Sequence, residues 1–292
     1  MHRQPQIARD VSYASSASSA GGKLVIRTLE NATGRLKLIK RVAGYQREVD
    51  QGRDFWNVMI ERYGLKLDIR SGSLEAIPSS GPLVVVSNHP YGILDGMVLG
   101  HILSSTRKDF RILAHAVFRK APDLEKTILP ISFDGSNEAV KLNLETRKEA
   151  LKYLSAGGAI GVFPGGTVAT APKPLATPLD PVWRTFTAKM IAKSEAKVVP
   201  VFFHCHTSRL FQLASHLNYT LRMGLMIREF RARVDGPVGI SVGNPIPQEE
   251  LSPFCKDPQK LMDYLRQATY ALGPAPYRHA GYGYEFEARW TA

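Results

Sequence analysis

At 292 residues, 44% of them hydrophobic, the chain is long enough for one large domain with an appendage and too apolar for wholesale disorder. Its 38 basic against 26 acidic side chains leave a net charge of +12, which favours an anionic partner: nucleic acid, lipid headgroups, or a soluble phosphate ester or coenzyme A thioester. Cys205 and Cys255, in no metal or redox spacing, argue against a disulfide framework and for a reducing compartment, and no apolar run is long enough for a transmembrane helix.

Residues 1–22 end in Ser15-Ser16-Ala17-Ser18-Ser19-Ala20-Gly21-Gly22 and lack the apolar stretch of a secretory signal, so a disordered tail on a cytosolic protein is expected. An amphipathic helical segment follows over 23–64. Leu36, Ile39 and Val42 recur at helical spacing among Arg35, Lys37, Lys40, Arg41 and Arg47, and Phe55, Trp56, Met59, Ile60 and Tyr63 continue the pattern to Gly64. Two compatible readings stand: a helix packed on the main domain with a solvated basic face, or one lying on anionic lipid with its cations at headgroup level.

The main domain is expected over 65–272. It opens with an alternating strand at 65–69, then carries short apolar runs at 83–87, 110–113, 159–163 and 198–203. Helical stretches at 93–104, 137–155 and 181–194 separate them, and a strand at 238–242 and a helix at 258–272 close the domain. Strand and helix in alternation predict an α/β fold with a mostly parallel central sheet covered by helices on both faces. The stretch 217–233 combines Leu217, Leu221, Leu225 and Phe230 with Arg222, Arg228, Arg231 and Arg233; it either lies near lipid or, the favoured reading, packs as a helix and strand with its arginines in solvent. Residues 273–292, rich in glycine, proline and tyrosine, are expected to lie as a loop on the surface.

Ligands of open α/β sheets bind at the carboxyl ends of strands. The valine strand 83–87 ends there in Asn88-His89-Pro90-Tyr91-Gly92-Ile93-Leu94-Asp95. Pro90 disfavours helical geometry at His89, so the imidazole belongs to the turn, while Asp95 falls in the first turn of the next helix. An acid there can hold one ring nitrogen and leave the other free as a general base; alternatively, the pair is a strand-end histidine satisfied by a local carboxylate. A second motif, Phe163-Pro164-Gly165-Gly166-Thr167, again follows a strand, and its glycines allow backbone N–H groups close to a ligand. It is not a Walker loop. Third, the strand 198–203 contains Pro200 and runs into His204-Cys205-His206, which lacks a third metal ligand at a telling spacing.

Together these stretches, covering about residues 82–205, resemble the PlsC-like lysophospholipid (1-acylglycerol-3-phosphate) acyltransferases, in particular their hemolysin-like bacterial branch. That family joins an Asn-His and an Asp across four residues, then a Phe-Pro-Glu-Gly-Thr block, then an apolar strand with a proline. This chain has five residues between His89 and Asp95, and Gly165 where the family has glutamate. No counterpart of the family's arginine-bearing second block is found around Leu129-Pro130-Ile131-Ser132-Phe133. Arg119, Lys120, Lys126, Lys173 and Arg184 are the candidate substitutes.

The resemblance implies a glycerol-3-phosphate acyltransferase-like fold and an O-acyltransferase in membrane lipid synthesis. Its catalytic pair would be His89 and Asp95, with Asn88, Phe163, Pro164, Gly165, Gly166, Thr167 and Arg184 at the substrate. It implies an acyl-CoA or acyl-ACP donor, a lyso-lipid acceptor, no cofactor and no metal. The setting expected with it is cytoplasmic, peripheral on an anionic membrane surface at the inner face of the cytoplasmic membrane. The absent glutamate opens a non-glycerophosphate acceptor such as a lyso-ornithine lipid, and a hydrolase or a lipid-binding protein remains the alternative to transfer. Nucleic acid is disfavoured, because aromatics do not interleave with the basic clusters.

Overall fold

The computed structural model describes residues 12–120, 122–132, 136–278 and 281–286; Phe133 and the Lys120 side chain, named above, lie outside the described residues. Four helices precede the sheet: α1 (Ala20–Thr33), α2 (Arg35–Val42), α3 (Tyr45–Asp50) and α4 (Phe55–Arg62). The strands are β1 (Lys66–Ser71), β2 (Leu83–Ser87), β3 (Arg111–His115), β4 (Ile128–Ile131), β5 (Ala159–Val162), β6 (Lys197–Phe203) and β7 (Pro237–Val242). Between and after them lie α5 (Ile93–Arg107), α6 (Asn137–Ser155), α7 (Phe186–Ile191), α8 (Arg209–Leu217), α9 (Tyr219–Arg231), α10 (Gln248–Leu251), α11 (Pro258–Ala271) and α12 (Ala275–Arg278).

The strands form one sheet in the order β1-β7-β6-β2-β5-β3-β4, parallel throughout except where β6 meets β7. Every residue of β2 is buried, because the strand is central and covered on both sides. Alternation along it divides the core. Leu83 and Val85 pack with Leu99 and Leu103 of α5 and with α4, whereas Val84 and Val86 pack with Leu154 of α6, Met190 of α7 and Leu265 of α11. Pro200 is tolerated inside β6 because its missing N–H falls before the β7 pairing, which runs from Val201 to Phe203. The expected fold class is thus observed.

Capping explains several helix starts. Ser136 accepts from Ala139 N–H at the head of α6, and Asp257 accepts from Gln259 and Lys260 N–H at the head of α11, where Pro258 stands at the first helical position.

Four expectations need correction. Residues 12–22 are not a free tail: Ser12 Oγ and Tyr13 N–H donate to the buried Glu30 carboxylate, and α1 starts at Ala20 behind a Ser19 cap. Of 181–194 only Phe186–Ile191 is α-helical, since Trp183 is drawn into the core. The interval around Leu129, to which the sequence reading assigned no element, is a strand, β4. Arg222 is buried rather than solvated, and Phe286 of the closing segment is buried with it. In the basic region, Tyr45, Trp56 and Tyr63 face the main core; Arg35 of α2 is buried beside Glu30, and Lys37, Lys40 and Arg41 are exposed.

Candidate active site

Because β2, β5 and β6 are adjacent and parallel, their carboxyl ends open side by side, and the three motifs meet there. Asn88 clamps two of them together. Its Nδ2 donates to Phe203 O (3.1 Å) and its Oδ1 accepts from Phe203 N–H (2.7 Å), closing the gap beyond the β2–β6 ladder. Both ends of this buried amide are therefore engaged by backbone.

The chain then turns. Gly92 adopts φ +77, and a Cβ there would lie 2.6 Å from Met226 Cε and 2.9 Å from Tyr13 Oη, so glycine is required both for conformation and for space. Asp95, wholly buried in the first turn of α5, accepts Tyr91 N–H (2.6 Å) and Gly92 N–H (3.0 Å) on Oδ2. The same oxygen stands 3.0 Å from His89 Nδ1, off the line of a straight N–H bond but within ion-pair distance once the ring is protonated. Burial raises the Asp95 pKa, while the His89 contact and the two backbone N–H groups act in the opposite direction. The fifth intervening residue is accommodated in this turn, and the side chains meet.

Phe163 stacks on the His89 ring, centroids 4.3 Å apart, fixing the imidazole from the side. The following turn closes by Gly166 N–H donating to Phe163 O (3.0 Å), with Gly166 at φ +70. Arg184 N–H donates to Pro164 O (2.8 Å), while its guanidinium is paired with Glu285 at 3.0 Å. Thr167 Oγ1 faces Arg222 Nη2 at 3.5 Å.

A second buried carboxylate escaped the sequence reading. Asp180 Oδ1 accepts His89 N–H (3.1 Å) and Oδ2 accepts Trp183 Nε1–H (2.9 Å). Asp180 N–H donates to Tyr270 Oη (2.8 Å), which ties this segment to α11. Burial raises its pKa too. A Cβ on Gly165 would lie 3.3 Å from Asp180 Cβ and Cγ, so the Asp180 side chain packs against the glycine. The turn that lacks a glutamate thus borders a carboxylate from a neighbouring segment. The only sequence signal was an aspartate in the apolar run Leu179–Trp183.

His204 Nε2 pairs with Ser241 Oγ (2.6 Å) and His206 Nδ1 with Thr207 O (3.0 Å). Among the described residues no cluster of three or more His, Cys, Asp or Glu could hold a metal.

A family model described as "Acyltransferase" matches residues 42–273, which contain every strand and the His89–Asp95 pair. The chain belongs to this acyltransferase family. Two similar proteins are lyso-glycine lipid O-acyltransferases, from Phocaeicola vulgatus (25% identical over 233 residues, 76% of this chain and 78% of the relative) and from Bacteroides thetaiotaomicron (24% over 233 residues, 76% and 80%). The solved 1-acyl-sn-glycerophosphate (LPA) acyltransferase PlsC from Thermotoga maritima superposes with a TM-score of 0.47 at 17% identity, covering 86% of each chain. By its family the enzyme is an acyltransferase, and its carboxyl-end cluster places an imidazole, two carboxylates and a glycine turn together. The other candidate cations of this acyltransferase, Arg119, Lys126 and Lys173, are exposed.

Proposed function

We propose that the enzyme transfers a fatty acyl group from acyl-CoA or acyl-ACP to the hydroxyl of a lyso-lipid, with His89 as general base and Asp95 as its orienting acid. The observation that carries this reading is the 3.0 Å contact of Asp95 Oδ2 with His89 Nδ1, on a carboxylate fixed by two backbone N–H groups. With Nδ1 held there, Nε2 is the nitrogen left to take a proton. The acceptor oxygen attacks the thioester carbonyl as its proton passes to His89. The tetrahedral intermediate then collapses, the C–S bond breaks, and the thiolate leaves with that proton, giving ester and free thiol. Among the described residues, Gly165 and Thr167 N–H have no hydrogen-bond partner within the chain and are the candidate oxyanion donors, each worth about 3–4 kcal/mol where such donors have been removed.

For the acceptor, the glycine at 165 and the naming of two relatives as lyso-glycine lipid O-acyltransferases favour an amino-acid lyso-lipid over lysophosphatidic acid. On this reading the membrane is met as a surface; no helix among the described residues is long and apolar enough to cross it. Support for an anionic surface comes from the net charge of +12 and from exposed leucines on α8.

The test is His89→Ala assayed with acyl-CoA and acyl-ACP over a panel of lyso-lipids that includes N-(3-hydroxyacyl)glycine and lysophosphatidic acid. Ester formation is expected to fall about 10²–10⁴-fold with folding preserved. Wild-type ester yields from that variant overturn the mechanism.

A further inference from the structure

Arg222 projects from α9 and is 1% exposed, yet no carboxylate faces it among the described residues. Its partners are all neutral oxygens. Nη1 donates to Thr170 Oγ1 (2.7 Å) and Ser215 Oγ (2.8 Å); Nη2 donates to Val168 O (2.8 Å) and reaches Thr167 Oγ1 only at 3.5 Å. Nε is buried with no hydrogen-bond partner. Phe211 and Phe286 lie over the guanidinium with centroids 4.9 and 4.2 Å from its carbon. Burial lowers its pKa to about 9, which keeps it cationic near neutral pH. A buried charge without a counterion costs several kcal/mol, so neutral hydroxyls are an incomplete setting for it.

The unfilled edge is specific. Nε and Nη2 form the side of a guanidinium that grips a carboxylate through two parallel bonds; here Nε is unbonded, and Nη2 makes one full bond, to Val168 O, and one long contact, to Thr167 Oγ1. This edge borders Thr167 in the glycine turn. Two residues on, Ala169 N–H donates to His89 O (2.8 Å), so the Arg222-held segment runs beside the catalytic histidine. One helical turn along α9, Met226 approaches Gly92 in the same turn.

We infer that Arg222 receives the carboxylate headgroup of the acceptor, making it a specificity-determining residue for anionic lyso-lipids. This rests on the proposed acceptor class. An N-acylated glycine presents one planar carboxylate, which suits a two-donor edge; a phosphate dianion would leave acceptors unmatched there. Phe286 covers the guanidinium in this conformation, so the 281–286 segment must shift for the headgroup to bind.

Binding without transfer provides the test. N-decanoylglycine, N-decanoylglycinamide and decyl phosphate, none of which carries an acceptor hydroxyl, are titrated calorimetrically into the full chain. Wild type is expected to bind the acid about ten- to hundredfold tighter than the amide, and Arg222→Met, which retains an unbranched chain between the two rings, to reduce that ratio to about one. Equal wild-type affinity for acid and amide overturns the inference, as does an unchanged ratio in Arg222→Met. Tighter binding of decyl phosphate than of the acid overturns the carboxylate assignment. Should Arg222→Met fail to fold, Phe286→Ala removes only the covering ring: tighter acid binding with unchanged amide binding supports the site, and a lost preference overturns it. A protein that discriminates acid from amide but acylates no hydroxylated acceptor would disprove the acyl-transfer reading alone.

Discussion

At the scale of single residues, His89 is held by two carboxylates that act on different parts of it: Asp95 faces the ring and Asp180 takes the backbone N–H. The distinction predicts opposite outcomes for the same substitution. In Asp95→Asn the amide oxygen still accepts Tyr91 and Gly92 N–H, but the charge opposite the imidazolium is gone. Because burial raises the Asp95 pKa, its folded form binds a proton more readily than the unfolded chain does. That group alone therefore costs stability as pH rises from its unfolded pKa through its raised folded one, and asparagine removes this cost. Asp95→Asn is expected to stay within ~1 kcal/mol of wild type at pH 7 by denaturant unfolding, while kcat/KM falls about 10³–10⁴-fold. A large stability loss with retained turnover would show that the acid is structural. Asp180→Asn is different: one of its two donors, His89 N–H or Trp183 Nε1–H, must then face an NH2 group. About 1–3 kcal/mol of stability should be lost, seen as a lower denaturant midpoint at unchanged slope.

Secondary elements bring distant residues into the site. Helix α1 packs along α9, and a Cβ at Gly224 would come within 2.7 Å of Leu29 Cδ1, so glycine sets how closely the two helices approach. Glu30 of α1 in turn anchors Tyr13, whose hydroxyl accepts Ile93 N–H (3.3 Å) at the head of α5. Gly224→Val is expected to overpack this crossing and cost about 1–3 kcal/mol, and thereby to loosen Tyr13 from α5. Hydrogen exchange at Ile93 should accelerate more than exchange in β2; unchanged Ile93 protection would disconnect α1 from the site. These links bear on what the sequence made legible. Strands β2 and β6 and helix α6 were readable from uninterrupted apolar runs and from 3.6-residue periodicity. The His89–Asp95 pair was readable because both residues lie within one strand-to-helix turn, where spacing determines geometry. Asp180 lies 91 positions from His89 and Arg222 lies 55 from Thr167, and no local pattern encodes a contact across such distances. Arg222 also resembled its neighbours Arg228, Arg231 and Arg233 in an amphipathic stretch. Tertiary burial alone sets it apart.

Over the whole molecule, the question is how an enzyme without a spanning helix among its described residues meets a lipid substrate. Helices α1 and α8 both pack against α9, and each turns apolar side chains outward. On α8, Leu210, Leu213 and Leu217 are 51, 41 and 73% exposed at a spacing that puts them on one helix face, while Phe211, Ala214 and Ser215 fill the buried side. Leu24 of α1 is exposed as well. Leucines presented singly by a soluble surface need no explanation, but three on one face of a two-turn helix next to the Arg222-bearing α9 form a surface suited to the acyl-chain boundary. Net positive charge would add attraction to anionic headgroups and make it salt-dependent. The prediction separates these two contributions. Replacing Leu210, Leu213 and Leu217 with serine should weaken sedimentation with phosphatidylglycerol-containing vesicles about tenfold or more at every ionic strength, because roughly 1.5–3 kcal/mol per buried leucine is forfeited. Lys37→Glu/Lys40→Glu on the exposed side of α2 should instead weaken it only at low salt. Turnover of a water-soluble short-chain acceptor should be unaffected in both variants, since neither touches His89, Asp95 or the glycine turn. If the serine variant sediments like wild type, the lipid contact lies on another face of the molecule.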